Sequence, residues 1–165
     1  MILRSQIVAA ARGWLDTPFR HQGRWKDRRG GIDCAGLPLM VAIELGIKDR
    51  DGNTPTPDMF GNYPPQPVGH AAQVFEQCAR LLFAKEIADR LPGDVLAIRL
   101  PREACHTAMI GEIDMGSERF LSLIHAYSPA GKVIEHILDD AWLRRVAGCF
   151  SYAGVDERTK LTVDS

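Results

Sequence analysis

Gly30-Gly31-Ile32-Asp33-Cys34-Ala35-Gly36-Leu37-Pro38-Leu39-Met40-Val41-Ala42-Ile43-Glu44-Leu45-Gly46 is where a charged, glycine-rich loop gives way to an apolar run that ends at a glycine. Leu37, Leu39, Met40, Val41, Ile43 and Leu45 predict a mostly buried helix finishing near Gly46. Asp33 is its expected N-cap, which puts Cys34 in the first turn. Unpaired backbone N–H groups and the positive end of the helix dipole favour an anion there, and can draw a thiol below its free pKa of roughly 8.5. The Asp33 carboxylate opposes a second negative charge, so the helix end alone does not make Cys34 reactive. Pro38 falls beyond the positions where a missing N–H is harmless, which calls for a kink or a cap displaced by a residue or two.

Working outward, 165 residues suit one domain with a real core. The 20 basic and 21 acidic residues nearly cancel, which argues against a nucleic-acid partner. No apolar run reaches membrane-spanning length, and Met1-Ile2-Leu3-Arg4-Ser5-Gln6 lacks the order of an export signal, so neither membrane insertion nor self-directed export is expected. Cysteines 34, 78, 105 and 149 have wide, irregular gaps with no CxxC pair, unlike a zinc ribbon or a disulfide framework. Cys78 and Cys149 read as core residues.

Upstream, residues 5–15 predict a helix with Ile7, Val8, Ala11, Trp14 and Leu15 on one stripe, followed by a loop over 19–31. That loop carries Arg20, Arg24, Lys26, Arg28 and Arg29 against Asp27, either a solvated face or a surface for an anionic substrate or partner. Downstream, residues 48–69 are proline-rich and read as a functional wall, a docking arm or a disordered insertion. Helical periodicity returns over 70–90, and strands are expected over 95–100, 106–113, 120–127 and 132–138. Asp139-Asp140 is expected to cap a short helix reaching Val146, with a last strand over 149–153 and a polar, frayed tail from Val155. Helices first and a strand meander afterwards predict an α+β domain with an antiparallel sheet.

Asp114-Met115-Gly116-Ser117 suits a hairpin turn. A turn centred between Met115 and Gly116 sets His106 opposite His125, with Ala108 opposite Leu123 and Ile110 opposite Leu121 behind them. Opposed residues of antiparallel strands have Cβ atoms about 4.5–5.5 Å apart, within reach for one ring to orient the other. A cysteine nucleophile needs a base, and the base works better when a third polar group fixes its ring. Cys34, His106 and His125 fill those roles in that order. His70, His136 and His21 have no comparable partner and read as structural. A zinc site built from the two imidazoles with Cys34 or Cys105 is the alternative, although no carboxylate is placed to complete it and the spacing matches no common set. No cofactor is expected.

Thr17-Pro18-Phe19-Arg20-His21-Gln22-Gly23, Ile32-Asp33-Cys34-Ala35-Gly36-Leu37, Leu91-Pro92-Gly93-Asp94-Val95, His106-Thr107-Ala108-Met109-Ile110-Gly111 and Leu123-Ile124-His125-Ala126 resemble, in order, the blocks of the NlpC-like cysteine endopeptidases of bacterial cell walls. The resemblance runs on through Ala141-Trp142-Leu143-Arg144-Arg145 and is strongest to the branch found in phage tail tips and gene transfer agents. It implies a papain-like, NlpC-type α+β domain over 1–154, with helices including the cysteine helix packed on the sheet and a polar tail over 155–165. Cys34 would attack an amide of the peptidoglycan stem peptide, after D-glutamate and before diaminopimelate, with His106 as base and His125 as the orienting residue. The implied protein is made in the bacterial cytoplasm, joins other tail-tip or hub proteins in a phage-like particle, and acts in the periplasm. One departure stands out: Phe19 replaces a tyrosine common in the family, removing a hydroxyl near the nucleophile, while the backbone of Cys34, with His21 and Asp33 nearby, remains for the oxyanion and substrate. That departure also admits a rival role, a weak or inactive tail-tip assembly component of the same fold.

Overall fold

The computed structural model describes residues 1–27, 29–64, 71–100 and 103–156. Helix α1 (Arg4–Arg12) leads to a small hairpin of β1 (Arg24–Trp25) and β2 (Gly31–Ile32), then to helices α2 (Gly36–Leu45) and α3 (Ala71–Leu81). There follow β3 (Phe83–Lys85), β4 (Val95–Leu100), β5 (Glu103–Asp114), β6 (Arg119–Tyr127), β7 (Lys132–Ile137), the single-turn helix α4 (Asp140–Leu143) and β8 (Val146–Ser151). Strands β3 to β8 make one antiparallel sheet in the order β3-β8-β4-β5-β6-β7, so the domain is α+β as its sequence predicts.

Alternation along each strand divides the sheet between two cores. Val95, Ala97, Met109, Ile124, Ala126 and Val133 face the helices and pack with Ile7, Trp14, Leu37, Val41, Val74 and Leu81. Leu96, Ile98, Ala108, Ile110, Leu123 and Cys149 face the other way, where Trp142 and Leu138 close a second core. Helix α2, apolar on nearly every side, is buried from Gly36 through Ala42, the environment a uniformly apolar helix requires. It ends at Gly46, whose φ of 66° is the left-handed conformation that glycine accepts without strain.

Several boundaries differ from expectation for local reasons. Helix α1 stops at Arg12, with the Gly13 N–H bonded to the Ala9 and Ala10 carbonyls, though Trp14 still reaches the core. Helix α3 ends at Leu81 instead of continuing to 90, because Phe83–Lys85 pairs with Ser151, Phe150 and Cys149 of β8. Strand pairing prevails there over helical periodicity. The short hairpin of β1 and β2 lies inside the expected loop; strands of two residues have no readable alternation. Val155, expected to begin the tail, bridges Ile2.

The β5–β6 hairpin corrects the expected register. Met109 pairs with Ile124 and Ile110 with Leu123, and the Met115 N–H bonds to the Glu118 carbonyl, so the loop is Gly116-Ser117. Gly116, at φ 84°, takes the first loop position, where a type II′ turn calls for glycine. The turn is therefore one residue later than expected, and every pairing moves by two. His125 is extrapolated to lie opposite Ala108 instead of His106. A shift of two preserves the sheet face, so both histidines stay on the same side.

Candidate active site

Cys34 sits on the turn entering α2, and Asp33 builds that turn. The assigned helix starts at Gly36 with Ala35 at the N-cap position, two residues later than expected. Ala35 is already right-handed helical, and the Leu37 N–H bonds to the Asp33 carbonyl at 3.2 Å, so the helical path begins at Asp33. Asp33 Oδ1 accepts the Gly36 N–H at 2.8 Å, the bond of an N-capping side chain. On that path Pro38 lies beyond the first turn and, having no N–H, cannot make the i→i−4 bond to the Cys34 carbonyl. Four residues before Pro38, the Cys34 carbonyl instead accepts the hydroxyl of Thr107 from β5. The Pro38 carbonyl is in turn held by Tyr152 Oη at 2.7 Å.

Asp33 is buried and gathers three further donors. Arg24 Nη1 reaches Oδ1 at 3.0 Å, while the Gln22 N–H and Tyr63 Oη reach Oδ2 at 2.8 and 2.5 Å. The Arg24 guanidinium offsets the carboxylate's charge, which removes much of the objection that Asp33 raises to an anion at Cys34. Arg24, expected on a solvated basic face, is itself buried; Arg20, Lys26 and Arg29 are exposed and Arg28 lies outside the described residues. Tyr63 ties the proline-rich segment to this centre. Its hydroxyl accepts from Arg24 Nη2 at 2.7 Å, and its carbonyl accepts from Gln22 Nε2 at 2.9 Å and His21 Nε2 at 2.8 Å. Burial, then the neighbouring Asp33 charge, pushes the Tyr63 phenol well above its ordinary pKa, so it stays a donor.

The described part of the 48–69 segment is thus a wall held against the cysteine turn; residues 65–70 lie outside the described set. A cleft of about 630 Å³ opens beside it, lined by Arg20, Arg24, Trp25, Arg29 and Asn62 among others. Phe19 packs on the helix-side core and its backbone bridges Ile32. His21 lies 3.8 Å from Asp33 Oδ2 through Nδ1, edge-on to Tyr63.

His106 and His125 are buried on the sheet face opposite the helices, and their rings meet diagonally, His106 Nε2 lying 2.6 Å from His125 Nδ1. Diagonal neighbours on adjacent strands are within reach of ring side chains. A third ring follows: His125 Nε2 is 2.8 Å from His136 Nε2, and His136 Nδ1 is 2.9 Å from the Ile137 carbonyl. Tyr127 stacks on His125 at 5.0 Å and Trp142 meets it edge-on at 5.3 Å. Burial lowers the pKa of His106 to about 4 and of His125 to about 2, so both rings are neutral at pH 7. The Thr107 bond sets the residue after His106 against the main chain of Cys34.

Among the described cysteines, Cys34 is half-exposed while Cys78 and Cys149 are buried, as expected of core residues. Burial pushes the Cys149 thiol up to about 12. The side chain of Cys105 lies outside the described set. Among the described residues, no group of three or more His, Cys, Asp or Glu is arranged to hold a metal ion. Arg24, Tyr63 and Thr107 complete this arrangement without having been assigned a role at the site from the sequence, and His136, expected to be structural and without a partner, is instead bonded to His125. Only His136 had a usable signal: the turn after Tyr127 pairs it with Leu123, on the face of His125.

No protein-family model matches the sequence, and no curated protein matches it at significant similarity. Among solved structures, the chain is similar to an NlpC/P60 family protein from Bacillus cereus, with a TM-score of 0.52 and 16% identity over 90% of this chain and 40% of that one. It is also similar to an N-acetylmuramoyl-L-alanine amidase from Bacteroides uniformis, with a TM-score of 0.47 and 16% identity over 87% and 96% of the two chains. The chain thus spans well under half the length of the first structure. It shares the papain-like, NlpC-type fold.

Proposed function

We propose that the protein is a thiol hydrolase of peptidoglycan stem peptides, with Cys34 as nucleophile, His106 as base and His125 as the residue that orients the base. The observation that carries this reading is the Thr107 hydroxyl on the Cys34 carbonyl, which holds the cysteine turn against β5 one residue from His106, whose ring is bonded to His125. The fold likeness to an NlpC/P60 protein supports the same reading.

In this mechanism His106 takes the thiol proton as Cys34 Sγ attacks the amide carbon. The tetrahedral oxyanion is met by the backbone N–H of Cys34, at the helix end where the dipole also favours negative charge. Collapse breaks the C–N bond, His106 returns the proton to the leaving amine, and water then hydrolyses the thioester with His106 again as base. Neutral His106 is competent to accept a proton. Arg20 and Arg29 give the adjoining cleft a positive lining suited to the carboxylates of a stem peptide. The scissile bond of this reading is D-glutamyl–diaminopimelate, and the setting is a phage-like tail tip that opens the wall in the periplasm alongside hub proteins. Phe19 favours a second reading, an assembly component with weak or no activity, because it offers no hydroxyl to the oxyanion.

Purified protein incubated with peptidoglycan, beside Cys34→Ala, separates the two. Cys34-dependent release of stem-peptide fragments is expected from the hydrolase; equal release, or none, from both proteins sinks that reading.

A further inference from the structure

The three histidines form a directed chain across β5, β6 and β7, and its far end is anchored. A carbonyl oxygen only accepts, so His136 Nδ1 carries the hydrogen that it directs to Ile137. In a neutral ring Nε2 of His136 is then bare and accepts, so His125 donates from Nε2. His125 Nδ1 is therefore bare in its turn, and His106 donates to it from Nε2. The one tautomer left to His106 has Nδ1 unprotonated. Each assignment follows from the one before it, and the first rests on backbone. A second ring nitrogen in a neutral imidazole holds its hydrogen only if the other does not, which is why the direction propagates.

We propose that His136 is a positioning residue and an acid-sensitive switch for the same site: when neutral it fixes Nδ1 of His106 as a proton acceptor, and when protonated it reverses the chain and turns that nitrogen into an N–H. This rests on the thiol-hydrolase reading only for its catalytic consequence. A proton on His136 Nε2 faces the hydrogen on His125 Nε2, and two donors cannot share one bond. His125 resolves the conflict by carrying its hydrogen on Nδ1, which then requires His106 to accept at Nε2 and carry its own on Nδ1. No net charge passes to either inner ring, whose burial disfavours the charged form. His136 is the half-buried member and the one that solvent protons reach.

Among the described residues, the titratable and charged groups around His136 are His125 on β6, with Tyr127 stacked on it, His106 beyond them on β5, and Arg145, whose guanidinium lies over the Trp142 ring of α4 that packs on His136. Glu135, beside it on β7, points to the other face and is bonded to Arg12 and Ser122.

The test compares the full chain with His136→Gln and His136→Phe. Glutamine can accept from His125 Nε2–H and donate to the Ile137 carbonyl, and it does not titrate; phenylalanine does neither. Long-range 1H–15N correlation spectra of histidine-labelled protein report which ring nitrogen is protonated, and peptide mass spectrometry reports the alkylation rate of Cys34 by iodoacetamide. Expected are Nε2–H tautomers of His106 and His125 in the wild type at pH 8, crossing to Nδ1–H on acidification. In His136→Gln the Nε2–H tautomers persist and the acid loss of Cys34 alkylation moves down by about one pH unit or more. In His136→Phe the tautomers mix and alkylation at neutral pH falls about tenfold or more. Unchanged His106 tautomers in His136→Phe, or a wild-type acid limb in His136→Gln, overturn the proposal. Neither readout uses peptidoglycan, so a failure of wall hydrolysis leaves this result standing and is told apart from it.

Discussion

Replacing Asp33 by asparagine keeps the shape of the side chain and removes one of its two acceptors. In the native protein Oδ1 receives Arg24 Nη1 and the Gly36 N–H, and Oδ2 receives the Gln22 N–H and Tyr63 Oη, all at 2.5–3.0 Å. Whichever way the amide turns, its NH2 faces two donors. Each buried donor left unmet costs about 1–3 kcal/mol. Arg24 also loses its counter-charge while it stays buried, and breaking such a pair costs about 3–5 kcal/mol in all. That is a large share of the roughly 5–15 kcal/mol by which domains are stable. Equilibrium urea unfolding at pH 7.5 is expected to show the midpoint falling accordingly at an unchanged m-value. Arg24→Met is expected to cost clearly less in the Asp33→Asn background than alone, because the charge that needed Asp33 is gone. An Asp33→Asn loss below about 1 kcal/mol would refute the view that this carboxylate holds the cysteine turn together.

Three further outcomes follow from the same contacts. Thr107→Val removes the hydroxyl from the Cys34 carbonyl at constant shape, for a loss of about 1–2 kcal/mol; Pro38→Ala restores an N–H four residues on, and in that background the Thr107→Val loss should shrink, so additive losses in the cycle would count against the account. His106 and His125 have folded pKa values below the unfolded value near 6.5, so the unfolded chain binds more protons and stability falls as pH drops through about 6.5; two such rings withdraw about 2–3 kcal/mol between pH 7.5 and 5.5, and a flat stability profile over that range would contradict their burial. Tyr63→Phe deletes the phenol between Arg24 and Asp33, which should cost about 1–2 kcal/mol and speed proteolysis within residues 55–64; unchanged cleavage there would mean that the phenol does not pin the wall.

The parts of this molecule that are legible in its sequence are those governed by local pattern. The apolar run ending at Gly46 announces α2, and alternation from Leu121 to His125 announces which side chains share a face. The histidine contact survived an incorrect turn because Met115-Gly116 and Gly116-Ser117 have similar turn chemistry, and choosing between them moves the register by two without changing faces. Arg24 was hidden for another reason: a cluster of basic residues gives no sign of which member turns inward to meet a carboxylate nine positions on. Tyr63 and Thr107 act across 30 and 73 residues, and their partners are fixed by tertiary docking alone. The proline at position 38, an obstacle on paper, is accommodated because Thr107 supplies the bond to the Cys34 carbonyl that a proline cannot.

The direct test of the central claim is mass spectrometry of the soluble fragments released from purified diaminopimelate-type peptidoglycan by the wild-type protein and by Cys34→Ala under reducing conditions. The account predicts stem-peptide fragments with a new terminus at the D-glutamyl–diaminopimelate bond from the wild type and none above background from the variant. Absence of any Cys34-dependent fragment from a folded wild-type protein would contradict it.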